Sequence, residues 1–364
     1  MKSVAIIGTR GYPSYYGGFE TLVRELAPYL ADRGWNVTVY GRSGAIKDSD
    51  PSKDTRVHSK LTPGIESKSL STLSYGLTSA AHSAFNKPDV ALIMNVANGY
   101  WLPILKARGI PTVVNVDGIE WEREKWGKAA KFAFRNGANL TARFADHLVY
   151  DSREIGRRWL EEFSRNGDFI PYGARVDDDL PLKDELIPGS YALAVARFVP
   201  ENTIEEFLAA AKDVSVNHPV VIVGSSGYGG PIDEAARILS ETNENVHWLG
   251  HISDDDRLHA LWQNAGVYFH GHSVGGTNPA LVQAMACGCA IVARDTPFNN
   301  EVLDDAAIFV EPRPDEISRA LQKVLTNPAM RKDLGLRARE RQLVDYTWDA
   351  VCKSYEEVIS AAIR

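Results

Sequence analysis

Residues 267–293 read VYFHGHSVGGTNPALVQAMACGCAIVA, and the order of residue types along this run decides the fold. Val267–His270 is a short apolar and aromatic run of the strand kind, and the next residues are small and polar. Asn278 is a good helix N-cap and Pro279 suits the first helical position. The apolar pattern over 279–287 then stops at Gly288, which fits the left-handed residue after a helix. Ala290–Ala293 begins a second strand. Strand, helix and strand in so few residues make a crossover between parallel neighbours.

The same alternation extends in both directions. Tyr191–Ala196, Val220–Val223 and Asn245–Leu249 read as strands, separated by helical patterns near 203–214, 231–241 and 254–264. A separate series opens the chain with Val4–Ile7, Asn36–Tyr40, Asp89–Met94, Pro111–Val116 and His147–Tyr150. Between its first two strands Phe19, Leu22, Val23, Leu26 and Leu30 recur at helical spacing, and Gly34 marks the stop. Between the two series lies the polar, acidic stretch Arg175–Gly189, which reads as a linker. The expected fold is α/β, with two doubly wound Rossmann-like domains facing across a cleft. The boundaries expected are 1–174, a linker at 175–189, a second domain at 190–345, and a closing helix in 346–364 that packs back on the first domain. Such folds bind ligands beyond the carboxyl ends of their strands.

Composition narrows the function. A chain of 364 residues has room for two cores, and 44% apolar with 24% charged residues is a folded composition. The net charge of −7 argues against nucleic acid as the main partner. Cys287, Cys289 and Cys352 lack zinc spacing and read as buried thiols in a reducing compartment. The N-terminus begins directly with a strand, and no apolar stretch reaches membrane-spanning length without charges. The expectation is a cytoplasmic protein.

Candidate ligand groups sit at strand ends. After the first strand, Tyr16, Gly17 and Gly18 precede a helix, a place where backbone N–H groups approach a phosphate or sugar. About ten residues of loop separate that strand from its helix, too long for the dinucleotide turn. Arg42, past the second strand, suits an NADP phosphate, so an NADP-dependent oxidoreductase stands as an alternative of low weight. In the second half Arg197 has the fork geometry that pairs with a diphosphate. Gly224 and Ser225 leave room for a ligand, and Gly250 with His251 offers backbone groups to a nucleobase. Gly275, Gly276 and Thr277 precede Asn278, where the helix dipole favours a diphosphate. His270 and His272 have metal-ligand spacing, but no third partner is evident.

At these residues the chain resembles glycosyltransferase family 4, the retaining transferases with two Rossmann domains (GT-B type). The resemblance rests on the turn Ile170–Gly173, Arg197 with Pro200 and Glu201, the Gly250 loop, and Gln283–Gly288. Ile7–Pro13, Tyr16–Thr21, Asp117–Trp121 and His270–Pro279 are similar to the bacterial β-1,4-rhamnosyltransferase branch. The resemblance implies a donor nucleotide in the second domain and an acceptor on the first, with no metal required. The family's diphosphate-binding lysine is replaced here by Asn202. Its two glutamates, eight residues apart, are replaced by Gly275 and Gln283. A glutamine suffices for a deoxyribose, so dTDP-L-rhamnose is the expected donor and a UDP- or GDP-hexose the alternative. Loss of both carboxylates in a weakly active sugar-nucleotide or glycolipid binder is a further reading.

The family's chemistry is front-face substitution, in which the leaving diphosphate takes the acceptor's proton. Arg197 and the helix at Asn278 are then assigned to the diphosphate, while Asp117 and Glu120, with Tyr16 and Trp121, are assigned to the acceptor. A helix cap at Glu120 and Trp121 weighs equally. Lys125, Lys128, Lys131 and Arg135 recur at helical spacing among aromatics, which fits either an interfacial helix on the inner membrane face or a solvated one. The branch acts on lipid-diphosphate sugars in cell-surface polysaccharide assembly, so the expected acceptor is a lipid-diphosphate-linked glycan.

Overall fold

A computed structural model describes residues 2–15, 17–42, 44, 50–67, 70–123, 126–175, 179–183, 185–227 and 229–363. The chain forms two compact units, one of Met1–Tyr172 with Trp348–Arg364, the other of Gly173–Thr347.

The first unit is a seven-stranded sheet in which every pairing is parallel. Its strands are β1 (Ser3–Ile7), β2 (Asn36–Arg42), β3 (His58–Thr62), β4 (Val90–Met94), β5 (Thr112–Asn115), β6 (His147–Tyr150) and β7 (Asp168–Phe169). They lie in the order β3-β2-β1-β4-β5-β6-β7. All five residues of β4 are buried, as a central strand covered on both faces requires. The connecting helices are α1 (Gly18–Asp32), α2 (Ser71–Asn86), α3 (Leu102–Ala107), α4 (Lys128–Phe144) and α5 (Arg153–Phe163). Leu22, Val23, Leu26 and Leu30 of α1 face the sheet. That helix ends as its glycine predicts. Gly34 sits at φ +80°, its N–H bonds Ala31 O, and the Trp35 N–H bonds Leu30 O at 3.1 Å.

The second unit is a six-stranded parallel sheet in the order β10-β9-β8-β11-β12-β13. Its strands are β8 (Ala192–Val195), β9 (Val220–Val223), β10 (Val246–Gly250), β11 (Val267–His270), β12 (Ile291–Arg294) and β13 (Ala307–Val310). Its helices are α6 (Ile204–Val214), α7 (Pro231–Thr242), α8 (Asp255–Asn264), α9 (Pro279–Ala286), α10 (Pro297–Leu303), α11 (Pro314–Leu325) and α12 (Pro328–Asp345). Phe207 of α6 stacks on Phe269 of β11, with ring centroids 5.1 Å apart, in the core shared by Ile222 and Leu321.

The final helix, α13 (Trp348–Ala362), belongs to the first unit. Its Tyr355 hydroxyl accepts from Asn115 Nδ2 at 2.7 Å, and Glu356 accepts from Trp35 Nε1 at 3.0 Å. The stretch expected as a separate linker, 175–189, is part of the second unit instead. Its backbone is held there: the Leu180 N–H donates to Gln263 Oε1 at 2.8 Å, and the Gly189 N–H to Asn264 O at 2.8 Å. The sheet edges β3 and β13 escaped the sequence reading. Four of the five residues in β3 keep partial or full exposure, so no apolar alternation marks it.

Gly8, which ends β1, has φ +98°, and a Cβ there would lie 2.4 Å from Met94 O. Gly8→Ala is expected to cost roughly 2–4 kcal/mol, from left-handed strain plus overpacking against backbone. Urea unfolding of the variant against the parent measures it, and an unchanged midpoint would show that β1 and β4 are less closely joined.

Candidate functional site

Because all strands of the second unit run parallel, the loops after β8, β9, β10 and β11 reach one edge of the sheet. Arg197 follows β8 and is exposed, with no hydrogen bond or ion pair from its guanidinium to a described residue. Its backbone is fixed: the Arg197 carbonyl accepts from the Val199 N–H at 2.9 Å and from Asn202 Nδ2 at 2.8 Å. Gly224 follows β9 at φ +124°, where a Cβ would lie 1.8 Å from Ala196 O, so the loops after β8 and β9 touch backbone to backbone. The Gly224 N–H donates to Gly250 O at 2.7 Å, which ties in the β10 loop. Ser225 is half-buried here and His251 is exposed.

The loop after β11 is clamped from two sides. Thr203 Oγ1 donates to Gly271 O at 2.6 Å, and the Ser273 N–H donates to Glu201 O at 2.9 Å. From the other side Asn299 Nδ2 donates to His272 O at 2.9 Å. Asn202 Oδ1 lies 2.5 Å from His272 Nδ1, so this nitrogen carries the hydrogen. Asn202 therefore does not replace the missing lysine as a cation. It joins the Arg197 loop to the His272 ring. His270 is 4% exposed. Its Nδ1 meets the Tyr268 hydroxyl at 3.0 Å, and its buried Nε2 has no partner among the described residues. Burial lowers its pKa to about 3, so the ring is neutral at physiological pH.

Asn278 caps α9, its Oδ1 accepting from the Ala280 N–H at 2.9 Å. Its carbonyl takes the Leu281 and Val282 N–H groups. The first turn of α9 is thus satisfied internally, and the open donors lie just before it. The N–H groups of Gly275, Gly276 and Asn278 make no hydrogen bond to a described residue. Thr277 is buried between them at 4% exposure. Gln283, expected at the nucleotide ribose, has another partner. Its Nε2 donates to Arg175 O at 2.7 Å and its Oε1 accepts the Arg175 N–H at 3.2 Å.

In the first unit the carboxyl edge of the central strands is strained. Asn95 after β4 and Asp117 after β5 have φ +71° and +61°. Asn95 Nδ2 donates to Asp117 Oδ2 at 3.0 Å, and the Asp117 N–H donates to Asn115 Oδ1 at 2.9 Å. Burial drives the Tyr172 phenol well above its usual range, and the charges of Asp151, Asp117 and Glu20 push it further. Glu20 is 6% exposed, and its Oε1 accepts the Arg10 N–H at 2.9 Å. Burial raises its pKa despite that bond and the nearby charges of Arg10 and Arg42. The motifs Tyr16–Thr21 and Ile170–Gly173 contain Glu20 and Tyr172 without assigning them a role, and Asn95 and Asp151 lie in no motif. The one available signal was an acidic residue in the first turn behind Gly17 and Gly18.

Other expectations change. Glu120 does not present a free carboxylate: Arg123 Nε lies 2.6 Å from its Oε1, and Trp126 Nε1 donates to its Oε2 at 2.8 Å. Both members of the ion pair are buried. Trp121 is packed edge-on against Phe163 and Trp159, with the Arg135 guanidinium 5.2 Å over its ring. Arg135 also pairs with Glu162, so it leaves the basic face expected of α4. Gly17 is extended at the N-cap of α1 and Gly18 opens that helix. Tyr16 and Lys125 lie outside the described residues. No group of three or more His, Cys, Asp or Glu among the described residues is placed to hold a metal ion.

Two Rossmann-like parallel sheets, the second with an arginine and glycine-rich loops at its carboxyl edge, are the architecture of GT-B proteins. The family Glycosyltransferase Family 4 matches residues 16–174, and Glycosyl transferases group 1 matches residues 186–341. The two halves of the chain thus match the two domain families of GT-B glycosyltransferases. An uncharacterized glycosyltransferase of Methanocaldococcus jannaschii is 24% identical over 263 residues, 68% of this chain and 66% of that protein. A phosphatidyl-myo-inositol mannosyltransferase of Mycolicibacterium smegmatis is 29% identical over 58% of this chain and 57% of its own. The matches thus span less than two thirds of the length of these relatives. The solved sucrose-phosphate synthase of Thermosynechococcus elongatus superposes with a TM-score of 0.80 at 20% identity, over 99% of this chain and 100% of that one. These matches leave the oxidoreductase reading without support.

Two predictions follow from the buried groups. Glu120→Gln removes the Glu120 charge beside buried Arg123, and a loss of about 3–5 kcal/mol in unfolding free energy is expected. Unchanged stability with lost activity would return Glu120 to the chemistry. His270 stays neutral while an unfolded histidine takes up a proton, so stability falls as pH drops from about 6.5 toward about 3, by up to ~1.4 kcal/mol per pH unit. His270→Asn should flatten that slope in thermal melts across the range, and an unaltered slope would place the proton uptake elsewhere.

Proposed function

We propose that the chain transfers L-rhamnose from dTDP-L-rhamnose, bound by the second unit, to a lipid-diphosphate-linked glycan held by the first. The observation that supports it is the uncommitted Arg197 at the end of β8 together with the open N–H groups of Gly275, Gly276 and Asn278, on the loop of the adjacent strand β11. Two loops of neighbouring strands thus offer a fixed charge and several main-chain donors to one diphosphate. In the transfer the acceptor hydroxyl oxygen bonds to the anomeric carbon as the bond from that carbon to the diphosphate oxygen breaks. The hydroxyl proton passes to the leaving diphosphate, whose growing charge Arg197 and the loop stabilise. Asp117, held by Asn95, orients the acceptor.

A UDP- or GDP-hexose donor is the second reading, favoured by the mannosyltransferase named among the relatives. The amide of Gln283, closed on Arg175, also weakens the argument that it selects a deoxyribose. No described helix is long and apolar enough to cross a membrane. Contact with a membrane surface is proposed for α4, where Phe132 is 73% exposed beside exposed Lys128.

Calorimetry with dTDP, UDP and GDP, without added metal, tests the donor. The expected result is preference for dTDP, weakened roughly 10- to 100-fold by Arg197→Ala, the range of a charge-assisted hydrogen bond. Preference for UDP or GDP removes rhamnose and keeps the transferase. Binding unaffected by Arg197→Ala removes the site.

A further inference from the structure

Arg42 is the last residue of β2, so the parallel sheet delivers it to the carboxyl edge of the first unit, next to the loop after β1. It is only 9% exposed. Its buried Nε has no partner, and none of its guanidinium nitrogens makes a hydrogen bond to a described residue. Among the described residues its carboxylate contact is Glu66, whose Oε1 lies 3.8 Å from Nη1 on a side chain 61% exposed, too distant for a hydrogen bond. The Tyr75 ring lies 5.3 Å from its Cζ, which accounts for one face of the guanidinium and none of its donors. Its backbone N–H donates to Arg10 O at 3.0 Å, which keeps the two arginines together. Loss of hydration and the neighbouring Arg10 charge both lower the Arg42 pKa, while Glu66 and Glu20 act against them.

A guanidinium has five N–H donors, and burying it without acceptors costs several kcal/mol. A structural arginine at this depth is ordinarily paired, as Arg123 is with Glu120. Arg42 is held at a strand end, near a second arginine, with its donors unspent. The buried carboxylate acting on it among the described residues, Glu20, has an oxygen already committed to the Arg10 N–H, and burial favours its protonated form. The group that fits is an anion with several oxygens and more than one charge. We propose that Arg42, with Arg10, seats a phosphate or diphosphate group of the acceptor. The inference rests on the reading that the first unit holds the acceptor, and it adds the chemical group by which the acceptor is recognised.

The test uses the full chain with its donor site saturated by whichever of dTDP, UDP or GDP binds. Inorganic pyrophosphate is then titrated calorimetrically into the parent, Arg42→Gln and Arg42→Lys. The parent is expected to keep one pyrophosphate site under these conditions. Arg42→Gln should weaken it roughly 10- to 100-fold and Arg42→Lys should fall between, since lysine keeps the charge without the fork. Without pyrophosphate, Arg42→Gln should melt at or above the parent temperature, because an uncompensated buried charge has been removed. Should that variant fail to fold, Arg42→Lys decides alone, and binding as tight as the parent's overturns the proposal. Absence of the site in the parent, or equal binding in all three chains, also overturns it. If no nucleoside diphosphate binds, the donor reading fails while an Arg42-dependent pyrophosphate site still stands. Arg42-dependent cosedimentation with phosphatidic acid vesicles assigns the phosphate to a lipid headgroup, and dependence with soluble pyrophosphate alone assigns it to a free phosphate compound.

Discussion

A parallel strand cannot be followed directly by its neighbour; the chain must cross back over one face of the sheet before the next strand begins. Both sheets of this protein obey that constraint throughout, and nearly everything of functional interest follows from it. Every strand ends at the same edge, so residues far apart in sequence, such as Arg197, Gly224, Gly250 and Gly275, arrive along one line. The crossovers also demand helices on both faces, which is why β4 is buried along its whole length. The edge has a cost in backbone geometry, visible at Gly8, Gly224, Asn95 and Asp117, all with positive φ.

The two edges are chemically different. In the second unit the side chains near the ligand loop are mostly engaged with one another, while main-chain N–H groups and one exposed arginine remain open. That is a surface for an anion of fixed shape, held mostly by dipoles. In the first unit several titratable groups are themselves buried: Glu20, Asp151 and Arg42, with half-buried Asp117 also acting electrostatically on buried Tyr172. Buried charges interact strongly and respond to protonation, so this edge suits recognition of hydroxyls and charged substituents.

How much of this was legible in the sequence depended on whether a feature was local. The crossover around α9 was readable because a strand, an N-cap, a proline and a terminal glycine occur within one short stretch, and Asn278 caps the helix through its own side chain. The central strands were readable because they are apolar on both faces. Edge strand β3 was not, because exposure on most of its residues erases the alternation. Site residues divided the same way. Arg197 was singled out because it follows a strand, and its guanidinium makes no hydrogen bond or ion pair to a described residue. Glu120 and Trp121 were assigned to the acceptor because they also follow a strand, yet Arg123 and Trp126 close on the one, and Trp159, Phe163 and Arg135 on the other. Nothing in the spacing reveals that a carboxylate has found its counter-charge three residues later rather than a ligand.

Asn202 shows why a motif substitution needs its surroundings. At this position the resembling family carries a lysine, and a bare substitution suggests a lost phosphate contact. The amide instead bonds the Arg197 carbonyl on one side and the His272 ring on the other, adding a further tie between two loops that Thr203 and Ser273 already join. Charge has been exchanged for rigidity. A fixed arrangement of main-chain dipoles needs little reorganisation when charge develops on a leaving diphosphate, whereas a flexible ammonium must be ordered first. With Asn202 bridging them, the backbone at Arg197 and the glycine loop after β11 are held as one piece. The loss of a cation at this edge is therefore offset by the alignment of the donors that remain.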